Sequence, residues 1–267
     1  MFVDSHCHLD FPELHAGLDA IFESMRSNQV THALTISTTL HSFVRVHAVA
    51  MSHENVFASA GVHPDEQSDD HEASLEELLR LAQLPKVVAI GETGLDYYRL
   101  KEPLEWQRER FRTHLRAARE CGKPLVIHTR EAANDTLRIM QEEGAEKVGG
   151  VMHCFTESLS VAHRAMEMNF HISFSGIVTF KNAAEIKEVA RAVPLERMLI
   201  ETDSPYLAPM PYRGKTNQPG YVKHVAEEIA RLKGITPEEV GRATTRNFFA
   251  LFSDAVELPS AAPAAGC

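Results

Sequence analysis

The chain has 267 residues, 44% of them hydrophobic and 24% charged, with a formal net charge of −10. That is enough material for a substantial core, in one large or two small domains, and the acidic balance argues against a general polyanion-coating role. No apolar run is long enough to span a bilayer and no basic-then-apolar leader opens the chain, so a cytoplasmic location without a membrane partner is expected. Apolar, β-branched runs predict eight strands, at 2–9, 32–38, 56–63, 87–94, 124–130, 149–155, 171–176 and 198–205. Helical patterns lie between them around 16–28, 41–53, 74–83, 103–121, 132–143, 158–168 and 181–192, with two more near 220–233 and 237–252. Leu75, Leu78, Leu79 and Ala82 carry the i, i+3, i+4, i+7 spacing of an amphipathic helix. Thr236, Pro237 and Glu239 read as N-cap, first-turn proline and capping-box glutamate of the last helix.

Strict β-α alternation predicts a parallel sheet with helical crossovers, and eight units in this length match a (β/α)8 TIM barrel of the α/β class. A doubly wound open sheet is the second choice; the lack of a GxGxxG after the first strand counts against its dinucleotide-binding form. Residues 1–252 are expected to form a single domain, and the Pro/Ala-rich stretch 253–267 a flexible tail. Cys7, Cys121, Cys154 and Cys267 form no CxxC pair, which fits a reducing compartment and gives neither a disulfide framework nor a zinc ribbon.

The chemistry gathers at the predicted strand ends. His6 and His8, two apart in MFVDSHCHLDF, share one strand face with Asp4 beneath them and Cys7 opposite. Two imidazoles on a buried face suit a metal ion, although a hydrogen-bonded pair of strand histidines would satisfy the same pattern. His63 ends the third strand, Glu92 the fourth, His128 the fifth, His153 the sixth, and Glu201 and Asp203 the eighth. In a barrel these ends meet at one rim, where barrel enzymes keep their active sites. Ten of the fifteen histidines, among them His15, His41, His47, His71 and His163, lie elsewhere, so a single strand-end histidine means little. Together, His6, His8, His128 and His153 with Glu92 and Asp203 on one face mean more. They exceed what one tetrahedral ion needs and suit two divalent ions sharing a carboxylate. Glu201 reads either as a carboxylate orienting a ligand histidine from behind or as a buried partner of a basic residue, and Asp4 as a deeper structural group.

MFVDSHCHLDF, GVHP (61–64), GETGLDYY (91–98), HTR (128–130), GVMHCFT (150–156), ISFSGIVTF (172–180), ETDSPYLAP (201–209) and RGKTNQP (213–219) resemble the TatD family of metal-dependent deoxyribonucleases, most of all its YcfH-type branch. The resemblance runs from residue 1 to about 252. It implies an amidohydrolase-like barrel in which His6, His8, Asp203 and Glu92 hold one ion, and Glu92 bridges to a second held by His128 and His153. Many amidohydrolase-like barrels bridge with a modified lysine on the fourth strand; here that strand offers Glu92 and no lysine.

The expected activity is hydrolysis of DNA phosphodiesters, at single strands or ends, by a water activated by two divalent ions, with zinc, manganese, magnesium and nickel all open as the native metal. Asp203 is expected to be both ligand and proton acceptor, and His63 to contact substrate or assist the leaving group. Arg213 and Lys215, after strand eight and before a helix, are expected to bind substrate phosphate, against the plainer reading of a solvated basic loop. Tyr97, Tyr98, Phe155 and Tyr206 are candidates to stack a base. The same ligands would serve an ester or amide hydrolase such as an aminoacyl-tRNA deacylase. A non-catalytic metal-binding scaffold fits an open rim poorly. DNA is the expected transient partner, and the oligomeric state, a monomer included, is left open.

Overall fold

Phe2–Cys7 form the first strand, β1, and every residue of it is buried. Around it the computed structural model describes residues 1–67, 72–98 and 104–258. His71, Cys267, position 103 of the helix predicted over 103–121 and residues 259–267 of the predicted tail lie outside the described residues. The other strands are β2 (Val30–Thr35), β3 (Val56–Ala60), β4 (Val87–Asp96), β5 (Leu125–Arg130), β6 (Gly150–Met152), β7 (Phe170–Phe174) and β8 (Met198–Ile200). All neighbours pair in parallel in the order β1 to β8. The ring is nearly closed by β1 and the segment after β8: Cys7 bridges Ser204, the His8 N–H donates to the Ser204 carbonyl at 2.9 Å, and Asp203 N–H donates to the His6 carbonyl at 2.9 Å. This is the (β/α)8 barrel that the alternation predicts.

The helices are α1 (Pro12–His15), α2 (Leu18–Ser27), α3 (Leu40–Ser52), α4 (Leu75–Ala82), α5 (Glu105–Cys121), α6 (Ala133–Glu142), α7 (Leu159–Glu167), α8 (Ala184–Ala192), α9 (Val222–Lys233) and α10 (Pro237–Leu251). The short α1, opened by a proline, has no counterpart among the expected helices. Ser74 and Thr236 close capping boxes with Glu77 and Glu239, which satisfies backbone donors that the first turn leaves open.

Each strand turns one set of side chains toward the helices and another into the barrel. Ala33, Ile90, Leu125, Ile127, Met152 and Ile172 belong to the outer layer under the helices. Val3, Leu34, Val88, Val126, Val151 and Leu199 fill the interior, where Phe248 of α10 and Phe252 just after it join them. Asn247, beside Phe248, donates to the carbonyls of Leu195 and Met198 at the start of β8. α10 therefore seals the N-terminal end of the barrel, and the apolar fill beneath leaves the C-terminal rim for polar groups. Residues 253–258 pack back onto this base: Ala255 is buried, Asp254 pairs with Lys123, and Leu258 N–H donates to His32 Nε2 at 3.3 Å.

Candidate metal centre at the barrel rim

Several strands stop earlier than their apolar runs suggest. β8 ends at Ile200 and β3 at Ala60, so Asp203 and His63 sit on the loops that follow. Asp203 turns the chain with φ 56°, a left-handed conformation that aspartate tolerates better than most residues. β4 runs on to Asp96 and carries a bulge: Ile90 pairs with Leu125 but Thr93 pairs with Ile127, so Gly91 and Glu92 fall in the irregular stretch. Such bulges re-aim side chains at barrel rims. Gly94, at φ 139°, lets β4 approach β5 closely, because a Cβ there would fall on the His128 carbonyl.

A buried polar stripe on α5 holds these loops from behind. Gln107, Arg110 and His114 share one helix face by their i, i+3, i+7 spacing. Gln107 accepts from Asp96 N–H at 2.9 Å and donates to the Pro64 carbonyl at 2.9 Å. Arg110 donates to the carbonyls of His63 (3.1 Å) and Glu66 (2.7 Å). Val62 N–H donates to His114 Nε2 at 3.1 Å, while His114 Nδ1 donates to Arg110 carbonyl at 2.8 Å. Burial holds this imidazole's pKa down to about 4, which matches the neutral tautomer the two bonds require.

The predicted histidines and carboxylates come together on this frame. Glu92 is their hub. Its Oε2 is 3.5 Å from His6 Nε2, and its Oε1 is 2.7 Å from His153 Nε2, 3.1 Å from His128 Nδ1 and 3.5 Å from His63 Nε2. Asp203 Oδ1 lies 3.6 Å from His6 Nε2 and 3.5 Å from His8 Nε2. His6 and His153 stack at 3.8 Å, a close approach for two imidazoles. Behind them, Glu201 Oε1 faces His153 Nδ1 at 3.2 Å and accepts from Cys154 N–H at 2.7 Å, the geometry of the first of its two expected readings. Asp4 binds Thr202 and the His6 N–H beneath the rim. Two groups escaped the sequence reading. Asp96 Oδ2 holds His128 Nε2 at 3.2 Å, and Asp65 holds His63 Nδ1. Their only sequence signal is an acid two residues from His63 and another four from Glu92, which is too common to read.

The donor set fits divalent ions. Both nitrogens of His6 are buried without a hydrogen-bond partner. Burial, then the neighbouring His153, lowers the His6 pKa, so its lone pair is free. Burial pushes the Glu92 carboxyl up, but the imidazoles of His153, His63 and His6 outweigh it and hold the group well below its usual range. Neutral imidazole, as at His6, and ionised carboxylate, as at Glu92, are what a divalent ion requires; burial lowers His8, His128 and His153, but the carboxylates beside them outweigh it and raise their pKa, so an ion bound there would displace protons. His6, His8 and Asp203 form one compact group; His6, His153 and Glu201 a second; His63, Glu92 and His128 a third.

Of these, His8, His63, Glu92, His128, His153 and Asp203 floor a cavity of about 740 Å³. Arg213 and Lys215 are not among its lining residues; both are exposed, Arg213 over the Phe180 ring at 3.9 Å and Lys215 5.8 Å from the Tyr212 ring. Of the four candidate stacking rings, Tyr206 lines the cavity. Phe155 is buried in the core, Tyr97 donates to Asp135 at 2.8 Å, and Tyr98 carries Arg130.

A family model described as TatD related DNase matches residues 3–253. The chain is 47% identical over 262 residues to the uncharacterized metal-dependent hydrolase YcfH of Escherichia coli (strain K12), covering 97% of this chain and 98% of that one. It is 43% identical over 252 residues to the uncharacterized metal-dependent hydrolase YabD of Bacillus subtilis (strain 168), covering 94% and 99%. Among solved structures, the TatD homolog YjjV of Escherichia coli K12 superposes with a TM-score of 0.87 at 28% identity, over 94% of this chain and 98% of that one. With a family match over nearly the whole chain, a barrel of the same shape and a rim of converging imidazoles and carboxylates, the protein belongs to the TatD-related DNase family of metal-dependent hydrolases.

Proposed function

We propose that this protein is a phosphodiesterase that cleaves DNA, at single strands or ends, with two divalent ions at the barrel rim. The observation that carries the reading is the Glu92 carboxylate, one oxygen toward His6 on β1 and the other toward His128 and His153. A carboxylate shared between two ions needs that disposition. In this reading His6, His8 and Asp203 hold one ion, His128 and His153 hold the other, and Glu92 lies between. Bound there, zinc, manganese, magnesium or nickel would supply a water of lowered pKa and positive charge for the non-bridging oxygens of a phosphodiester.

The chain's own groups then divide the work. Burial raises the Asp203 carboxyl, but its bond to His8 and the imidazoles around it outweigh that and hold it below its usual range, so it stands ionised, the form that can ligate an ion and take a proton from the attacking water. His63, gripped at Nδ1 by Asp65, turns Nε2 toward Glu92 Oε1 at 3.5 Å, from where it would reach a leaving group in the cleft. Arg213 and Lys215, exposed on the loop after β8, serve backbone phosphates away from the floor. No helix among the described residues is long and apolar enough to cross a membrane. A cytoplasmic site of action belongs to the proposal.

The test is a turnover panel of single-stranded DNA, duplex DNA, RNA and aminoacyl-tRNA with each of the four metals. Cleavage of DNA, lost with chelator and restored by one of the metals, is the expected result. Release of the amino acid from aminoacyl-tRNA, with DNA intact under every metal, would replace the phosphodiesterase reading by a carboxylic-ester hydrolase.

A further inference from the structure

Five carboxylates, Asp65, Glu66, Glu92, Asp96 and Asp203, line the cavity, and among the described lining residues Arg130 is the one lysine or arginine. It ends β5, two residues after His128, and pairs across the sheet with Asp96. Asp96 would be its natural counter-ion. Yet Asp96 Oδ2 is taken by His128 Nε2 and Oδ1 accepts from Tyr98 N–H at 2.9 Å. The guanidinium lies instead on the Tyr98 ring, Cζ 3.7 Å from its centroid, and that ring is 49% exposed. A cation held over an aromatic face keeps its planar fork of donors for an incoming anion.

The opposite wall has different chemistry. In a ring of eight strands ordered β1 to β8, β4 and β5 lie across from β8 and β1. There Phe11 follows β1, Ile177 follows β7, and Tyr206 and Leu207 follow β8, all lining the cavity. Tyr206 is 54% exposed and meets Phe11 edge-on at 6.2 Å. The floor is thus flanked by a cation on one side and an apolar, aromatic wall on the other.

We infer that Arg130, supported by Tyr98, forms an anion subsite for a second phosphate of the substrate, across the floor from a wall that takes a base. The inference rests on the phosphodiesterase reading and narrows it. The enzyme favours a scissile diester with a further phosphate on the neighbouring nucleotide over an isolated diester.

A minimal pair tests it: dTpdT, with its single internal phosphate, against pdTpdTp, which adds one at each end. The metal-loaded wild type should show a KM about tenfold lower for pdTpdTp, a difference of about 1.4 kcal/mol. Arg130→Gln should collapse that ratio to below about twofold, Arg130→Lys should retain part of it, and Tyr98→Ala should give a smaller loss. The salt dependence of oligonucleotide binding should weaken by about one unit of slope in Arg130→Gln. Thermal unfolding and metal content of each variant separate loss of the subsite from loss of fold. If the wild type cleaves both compounds and Arg130→Gln keeps the tenfold preference, the subsite is overturned while the phosphodiesterase reading stands. If the wild type cleaves neither these nor longer DNA, that reading falls, and binding of a fluorescein-labelled oligonucleotide decides the subsite alone. Equal affinity in wild type and Arg130→Gln then overturns it.

Discussion

The two ends of the barrel obey opposite rules. At the base, α10 and the turn after it drive Phe248 and Phe252 against Phe57, Val3 and Leu199, and Asn247 pairs its amide with two carbonyls. At the rim, imidazoles stack on one another, His6 is buried with both nitrogens unpartnered, and Asp203 and Cys154 take positive φ. Buried polar groups are ordinarily satisfied, and exceptions concentrate where structure serves chemistry. The base therefore stores stability, and the rim spends some of it holding lone pairs ready for cations. Perturbing one end should leave the other's property nearly intact.

The sharpest break is at the rim. Asp203→Ala should lower metal-dependent turnover by about a thousandfold or more, while the circular-dichroism spectrum stays that of the barrel. Near-wild-type turnover would remove Asp203 from the chemistry. At the base, Phe248→Ala should cost about 3–5 kcal/mol in urea unfolding by opening a cavity, with turnover per folded molecule unchanged. Parallel losses in both properties would mean the two ends are coupled.

The third prediction concerns pH and the frame between the ends. His114 has a folded pKa of about 4, below the value of about 6.5 for an exposed imidazole. Between those values the unfolded chain binds the proton and the native one does not. The His114 contribution to stability is therefore full above pH about 6.5 and falls by about 3 kcal/mol as pH drops toward 4. Burial also holds His32 and His171 down to about 4, so they add to the same slope. Denaturant unfolding of His114→Gln across this window should show a shallower acid loss than wild type, and an equal slope would place the effect elsewhere. The smallest effect is expected behind the rim. Glu201→Ala should weaken metal affinity about 10–100-fold by freeing His153, with turnover recovering at saturating metal. Loss that no metal concentration restores would make Glu201 a ligand itself.

Much of this was legible in the chain. Eight apolar runs alternating with amphipathic segments determined a parallel sheet under helices, because each pattern can bury its apolar side in only one way. Histidines and acids at the ends of those runs marked one rim, since parallel strands bring like ends together. Thr236, Pro237 and Glu239 announced a helix start through purely local bonds.

The tertiary structure decided the rest. The β4 bulge sets where Glu92 points, and a shift of one residue in register depends on pairing with β5, which the run VVAIGETGLD does not reveal by itself. Gln107, Arg110 and His114 look like an ordinary helix face until the loops of β3 and β4 are laid against them. Arg130 became the cavity's cation, and Arg213 and Lys215 came to lie outside its wall, because a loop's path depends on contacts distant in sequence. Periodicity and local caps are short-range and survive in one dimension; a side chain's partner across a barrel does not.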